Sequence, residues 1–205
     1  TYEEMVQTAI DADKLAWIRQ RVSTWDVLSI LFTSGSTGVP KGVAQSHRSY
    51  IAYTETNTER FGFTIDDVYA NQSPFFYANS ITDIYPPIKF GAKVYVMPAR
   101  CLSFPKVMIE TLREKRVSVL CMTPSSYVKA AASGAMSEGC LPDLKYIVLS
   151  GEAAHWQTLA VWLSAAPNAK VWNFYGSTEL LGVAVKRLER TYSDAEVIPV
   201  GKTYA

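Results

Sequence analysis

Short apolar runs, each closed by Gly, Pro or Ser, alternate along this chain with stretches of helical periodicity. Val27–Thr33, Lys93–Met97, Ser118–Thr123, Lys145–Ser150 and Lys170–Tyr175 are rich in Val, Ile, Leu and aromatics and read as strands. Phe104, Met108 and Leu112 recur at i, i+4, i+8 after Ser103, which the pattern offers as a helix cap. Trp156, Leu159, Ala160 and Leu163 follow i, i+3, i+4, i+7 on a second helix, expected to start after Gly151 and stop near Pro167. Strand–helix alternation at this spacing predicts an α/β fold. Its sheet is parallel or mostly parallel, with helices on both faces, in the manner of flavodoxin-like and Rossmann-like domains. Residues 1–26 precede the first strand and read as a helical lead-in to a domain that fills 27–205.

Ligands of such sheets bind beyond the carboxyl ends of the strands. After Val27–Thr33 comes Ser34-Gly35-Ser36-Thr37-Gly38, after Lys145–Leu149 comes Ser150-Gly151-Glu152, and after Lys170–Phe174 comes Tyr175-Gly176-Ser177-Thr178-Glu179. Three small-polar, Gly-containing loops are therefore expected along one edge. In the first, Thr33, Ser34, Ser36 and Thr37 bring hydroxyl donors, the glycines let backbone N–H groups approach an anion, and Lys41 adds a point charge suited to a polyphosphate. Two stricter motifs fail. A Walker loop would need Gly where Pro40 stands, and a nucleophile elbow would need Gly where Ser34 stands. Composition alone leaves a plain surface loop as open as a phosphate cradle.

The bulk numbers narrow the class. With 205 residues, 48% of them hydrophobic, the chain can bury one well-packed core. Twenty basic residues against 19 acidic give a net charge of +1 and no electrostatic footprint for nucleic acid or an anionic membrane. No apolar run approaches the roughly 18 residues of a membrane span. Cys101, Cys121 and Cys140 form no CxxC pair, which fits reduced thiols in a cytoplasmic protein, the first two buried as small apolar groups. The chain opens on Thr1, which suggests an excised segment.

The run Leu31-Phe32-Thr33-Ser34-Gly35-Ser36-Thr37-Gly38-Val39-Pro40-Lys41-Gly42-Val43, followed by Ser46-His47, resembles the phosphate-loop signature of the adenylate-forming superfamily. That superfamily includes acyl-CoA synthetases, aryl-CoA ligases, luciferases, peptide-synthetase adenylation domains and D-alanine–carrier-protein ligases. Asn173-Phe174-Tyr175-Gly176-Ser177-Thr178-Glu179 is similar to its N-x-Y-G-x-T-E motif, and Ser150-Gly151-Glu152-Ala153-Ala154 to its shorter adenine-pocket segment, with Ser150 and Ala154 departing from the family's Gly and Leu. The likeness runs from Val27 to Lys202 and leans towards the D-alanine-ligase and peptide-synthetase side.

The resemblance implies an ATP-dependent reaction: carboxylic acid plus ATP gives acyl-AMP and pyrophosphate, then acyl transfer to a carrier-protein phosphopantetheine or CoA thiol. Lys41, Thr178 and Glu179 would be catalytic, with Glu179 holding Mg²⁺. ATP would be bound by Thr33, Ser34, Gly35, Ser36, Thr37, Gly38, Lys41, Gly151, Glu152, Ala153, Asn173, Tyr175, Gly176, Ser177 and Thr178. Phe76, Tyr77 and Ala78 would wall the acid pocket, Ala78 standing where members that activate α-amino acids carry an aspartate. Asp83 is expected to face away from that pocket. His47 is expected at a helix start, and both it and His155 in structural roles. The family's ribose-binding aspartate, hinge and small C-terminal domain with its lysine have no counterpart after Lys202, so 27–205 would be a partial large domain, inactive alone. The alternative is a non-catalytic nucleotide-binding or interaction module derived from such an enzyme.

Overall fold

The structure is a computed structural model, and it describes residues 1–34, 38–189, 191–193 and 196–203. Two short helices open the chain, α1 (Tyr2–Gln7) and α2 (Ala12–Arg19), capped by the side chains of Thr1 and Asp11 and burying none of their residues. β1 (Val27–Thr33) then pairs antiparallel with β2 (Lys41–Ser46), in register Thr33 with Lys41 and Ser29 with Gln45. These two strands form a sheet of their own. This corrects the expectation that Val27–Thr33 belongs to the parallel sheet: its first loop joins a hairpin. The apolar pattern identified a strand, but Ile30 and Phe32 face solvent and could not report a partner.

The main sheet holds β3 (Val68–Asn71), β4 (Lys93–Val96), β5 (Val119–Met122), β6 (Tyr146–Ser150), β7 (Lys170–Tyr175), β8 (Ala184–Leu188) and β9 (Lys202–Thr203). Their order is β4-β3-β5-β6-β7-β8-β9. Pairing is parallel from β4 to β7 and antiparallel at β8 and β9, so the sheet is mostly parallel, as its alternation predicts.

Helices cover both faces, and side-chain alternation along each strand decides which face it feeds. Ile147 and Leu149 of β6, with Leu120 and Met122 of β5, pack against α6 (Pro105–Glu114), α7 (Pro124–Ala132) and α8 (Trp156–Ala165). Tyr146 and Val148, with Val119 and Cys121, pack on the opposite side against α3 (His47–Phe61) and α4 (Ser80–Phe90). Tyr127 and Trp162 meet edge-on at 5.0 Å in the first core, and the Trp162 ring N–H donates to the Tyr127 carbonyl. Cys101 and Cys121 are buried free thiols.

One helix end differs from expectation. α5 (Ala99–Ser103) ends at Ser103, and α6 follows with Phe104 at the cap position and no side-chain cap, so Ser103 caps nothing. Pro105 at the first helical position makes that cap less needed, since one unsatisfied N–H is already gone. α8 starts at Trp156, after Gly151, and ends at Ala165, just before Pro167, as its periodicity predicts. α3 does begin at His47, its first turn capped by Ser46. The N–H groups of His47 and Arg48 donate to the carbonyls of Asp26 and Thr24, which ties the lead-in to this helix. Among the described residues no helix is long and apolar enough to cross a membrane.

Two buried carboxylates make the sheet testable. Asp67 accepts hydrogen bonds from the Ser118 hydroxyl at 2.8 Å, the Thr64 backbone N–H at 2.9 Å and Lys145 Nζ at 3.1 Å. It thus joins the start of β3 to the residues leading into β5 and β6. Hydrogen bonds to a charged group each contribute about 1.5–3 kcal/mol. Asp67→Ala is expected to lower unfolding free energy by about 3 kcal/mol or more, read by urea denaturation.

Asp83 in α4 is 1% exposed and accepts from Asn71 Nδ2 at 3.2 Å. Burial raises its carboxyl well above the usual range, against the opposing pull of that hydrogen bond. The native state therefore holds a proton that the unfolded chain releases. Asp83's stabilising share is complete below about pH 4 and is lost as pH rises through the raised native value. Urea midpoints measured between about pH 4 and 8 are expected to fall for the wild type relative to Asp83→Asn. Parallel curves would show Asp83 already ionised in the fold.

Candidate active site

A cleft of about 320 Å³ lies beyond the carboxyl ends of the parallel strands. The end of β3 supplies Gln72 and Ser73, the end of β5 Thr123, the end of β6 Ser150 and Gly151, and the segment after β7 Gly176, Ser177 and Thr178. Ala78 and Asn79, which lead into α4, and Thr82 in its first turn close one side, while Tyr53, Phe174 and Leu181 supply the apolar remainder. No charged side chain lines it among the described residues.

Hydroxyls and amides are knitted together around the cleft. Tyr53 and Thr82 share a hydrogen bond at 2.5 Å, and the Ser150 hydroxyl donates to Asn79 Oδ1 at 3.3 Å. Gln72 Nε2 donates to the Ser73 hydroxyl at 2.9 Å and to the Cys121 carbonyl at 3.2 Å. The loop after β7 is tight: Ser177 N–H donates to the Leu180 carbonyl and Leu180 N–H to Ser177 Oγ. A Cβ on Gly176 would sit 2.9 Å from the Leu181 carbonyl oxygen, so only glycine fits that close backbone approach.

Of the expected nucleotide residues, Gly151, Gly176, Ser177 and Thr178 come together at the cleft. Tyr175 ends β7 with its ring 53% exposed, outside the cleft lining but open to a stacking partner. Asn173 is buried and spends its amide nitrogen on the Pro199 carbonyl. Thr33 ends β1, Ser34 follows it and Gly38 precedes β2, all apart from the cleft wall; Gly35, Ser36 and Thr37 lie outside the described residues. Glu152 differs from its expected role. Its carboxylate accepts from the Ser125 backbone N–H and hydroxyl, both at 2.9 Å, capping the N-terminus of α7, whose own cap residue Thr123 makes no such bond. Ala153 beside it does not reach the cleft.

Lys41 opens β2 of the hairpin, and Glu179 lies in the loop after β7. Glu179 is exposed, and its carboxyl sits below the usual carboxylate range. Its own backbone N–H and the Ser177 hydroxyl donate to it, and the Lys41 ammonium adds attraction. Among the described residues no cluster of three or more His, Cys, Asp or Glu is placed to hold a metal. One hard carboxylate oxygen beside a polyphosphate is nonetheless the donor set that Mg²⁺ commonly accepts, so Glu179 fits that ion.

Of the residues expected at an acid pocket, only some line the cleft. Tyr77 and Ala78 line the cleft, whereas Phe76 is 69% exposed and leans on the Tyr77 ring at 4.8 Å, outside the lining. Asp83 is not part of the wall. Ser73, Asn79 and Thr82 belong to the 73–86 stretch that the resemblance places at the acid pocket, whereas Gln72 and Thr123 carry no signal beyond their places after strand ends. His155 stands at the start of α8 on the surface, away from this cleft.

The profile of the AMP-binding enzyme family matches residues 2–204. The D-alanine–D-alanyl carrier protein ligase of Bacillus licheniformis is 33% identical over 166 residues, 81% of this chain and 33% of its own length. That of Bacillus cereus is 31% identical over 175 residues, 84% of this chain and 34% of its own. This chain thus spans about a third of the relatives it matches. Among solved structures, the Vibrio cholerae adenylation domain AlmE, in complex with glycyl-adenosine-5'-phosphate, superposes with a TM-score of 0.82 at 24% identity, covering 96% of this chain and 36% of that one. At that identity the likeness speaks for the fold.

Proposed function

Because the chain belongs to the AMP-binding enzyme family, we propose that it forms the nucleotide and acid site of an enzyme that activates a carboxylic acid as acyl-AMP. The observation that carries this reading is the gathering of Gly151, Gly176, Ser177 and Thr178 on a neutral cleft at the strand ends, with Glu179 next in the chain. A carboxylate oxygen of the acid attacks the α-phosphorus of ATP; the bond from that phosphorus to the bridging oxygen breaks, and pyrophosphate leaves. No enzyme base is needed, since the acid is ionised near neutral pH.

Each residue then has a physical task. Lys41 would offset charge on the leaving phosphates, and Thr178, which lines the cleft, would offer its hydroxyl to the α-phosphate. Tyr175 offers its exposed ring to adenine. Gly151 and Gly176 keep the loop backbone low enough for a ligand to approach. Glu179 would hold Mg²⁺, which neutralises phosphate charge when bound. Because the two Bacillus relatives are named for a carrier protein, we take a carrier-protein thiol over CoA as the acyl acceptor.

The acid itself is proposed to differ from D-alanine, the amino acid in those relatives' names. The cleft has Ala78 and no carboxylate in its described wall, and the first turn of α4 faces it with the positive end of the helix. Both disfavour an ammonium. ATP–pyrophosphate exchange by the full-length protein, across amino, hydroxy, keto, aryl and aliphatic acids, tests the reading. Exchange with none of them would refute it.

A further inference from the structure

We propose that Gln45 is a positioning residue that sets the Thr178–Glu179 loop against the hairpin carrying Lys41, and so fixes the spacing of the cation and carboxylate that meet the nucleotide. The proposal rests on the nucleotide reading above. The hairpin β1–β2 shares no strand pairing with the seven-stranded sheet, so side chains must set its place relative to the strand ends. Gln45 is the buried position of β2, 6% exposed, although glutamine is usually a surface residue.

Its amide group is spoken for at both ends. Nε2 donates to the Thr178 carbonyl at 2.7 Å and to the Glu179 carbonyl at 3.3 Å. Oε1 accepts from the Ser49 hydroxyl at 2.9 Å. The orientation follows from chemistry: reversing the amide would press an acceptor against two carbonyl oxygens. On the same strand Lys41 stands close enough for Glu179 to feel its charge. One side chain therefore ties the backbone of both Thr178 and Glu179 to the strand that bears Lys41. The role needs a donor at this length. Asparagine falls one methylene short, and methionine has the length without the N–H.

The test uses the full-length protein, with ATP affinity measured by calorimetry with and without Mg²⁺ alongside pyrophosphate exchange. Gln45→Met is expected to weaken ATP binding about tenfold when Mg²⁺ is present and to cut the exchange kcat about 10- to 100-fold, because a misplacement near 1 Å costs that much. Gln45→Asn should behave like it. In a Glu179→Ala background Gln45→Met should cost less than about threefold more, since both changes act on one group. Wild-type affinity and kcat in Gln45→Met, or effects that add in full to Glu179→Ala, would overturn the proposal. If Gln45→Met does not fold, Ser49→Ala decides: it releases Oε1 and should shift affinity the same way by a smaller factor, and no shift overturns the role. A wild-type protein without exchange on any acid would instead sink the functional reading underneath, and Gln45's role with it.

Discussion

Lys41→Ala in the full-length protein is expected to slow ATP–pyrophosphate exchange about 10²–10³-fold, the loss seen when one preorganised charge-stabilising group is removed. Lys41 is exposed at the start of β2, so its removal leaves no hole in either core. The loss should fall on kcat more than on the affinity for the acid, because the lysine meets charge that grows as pyrophosphate departs. Glu179→Ala should cost a similar factor and flatten the dependence on Mg²⁺ concentration. His155→Ala, on the surface at the start of α8, is the control and should change little. Exchange that survives Lys41→Ala intact would rule out the phosphate role of the hairpin.

The acid preference is the second large effect. An ammonium placed beside Ala78 would lie in a cleft whose described wall offers no carboxylate. Leaving a buried charge without its partner costs about 3–5 kcal/mol. At about 1.4 kcal/mol per tenfold, that is a discrimination of about 10² to several thousand against α-amino acids. Asn79 strengthens the case: its oxygen accepts from Ser150, and its amide nitrogen has no partner among the described residues. A free N–H suits a hydroxyl or keto oxygen and offers nothing to an ammonium. Exchange rates over the acid panel should therefore favour hydroxy, keto, aryl or aliphatic acids. Ala78→Asp should depress exchange with the native acid by adding an unpaired charge to the cleft. Efficient exchange with an ordinary α-amino acid, and none with simple acids, would defeat this assignment.

Much of the sheet was legible because its strands obey local rules. β7 and its following loop could be read residue by residue, since an apolar run ending in small polar residues has few other meanings in an α/β chain. α4 was harder. Pro86 and Pro87 lie inside the helix, remove two backbone donors and would normally break it. β3 is four residues long and carries too little pattern to stand out. The hairpin could not be foreseen from Lys41–Ser46, in which Val43 is the one β-branched residue among Lys, Gly, Ala, Gln and Ser. Glu152 and Gln45 were illegible for a different reason. Their partners, Ser125 and the Thr178–Glu179 backbone, are distant in sequence, and no local spacing announces a side chain that reaches across.

The strand order also bears on how the chain reaches this state. β3 pairs with β4 on one side and with β5 on the other, where Tyr69 meets Val119 about fifty residues later, a separation that slows folding through loop-closure entropy. β7 and β8, in contrast, join as neighbours in sequence. During synthesis, Tyr69 and Ala70, both fully buried in the finished sheet, must wait for β5 before their second edge is covered. In that interval the β5-facing edge of β3 is an unpaired strand edge, the kind of surface that makes a partly folded chain prone to aggregate.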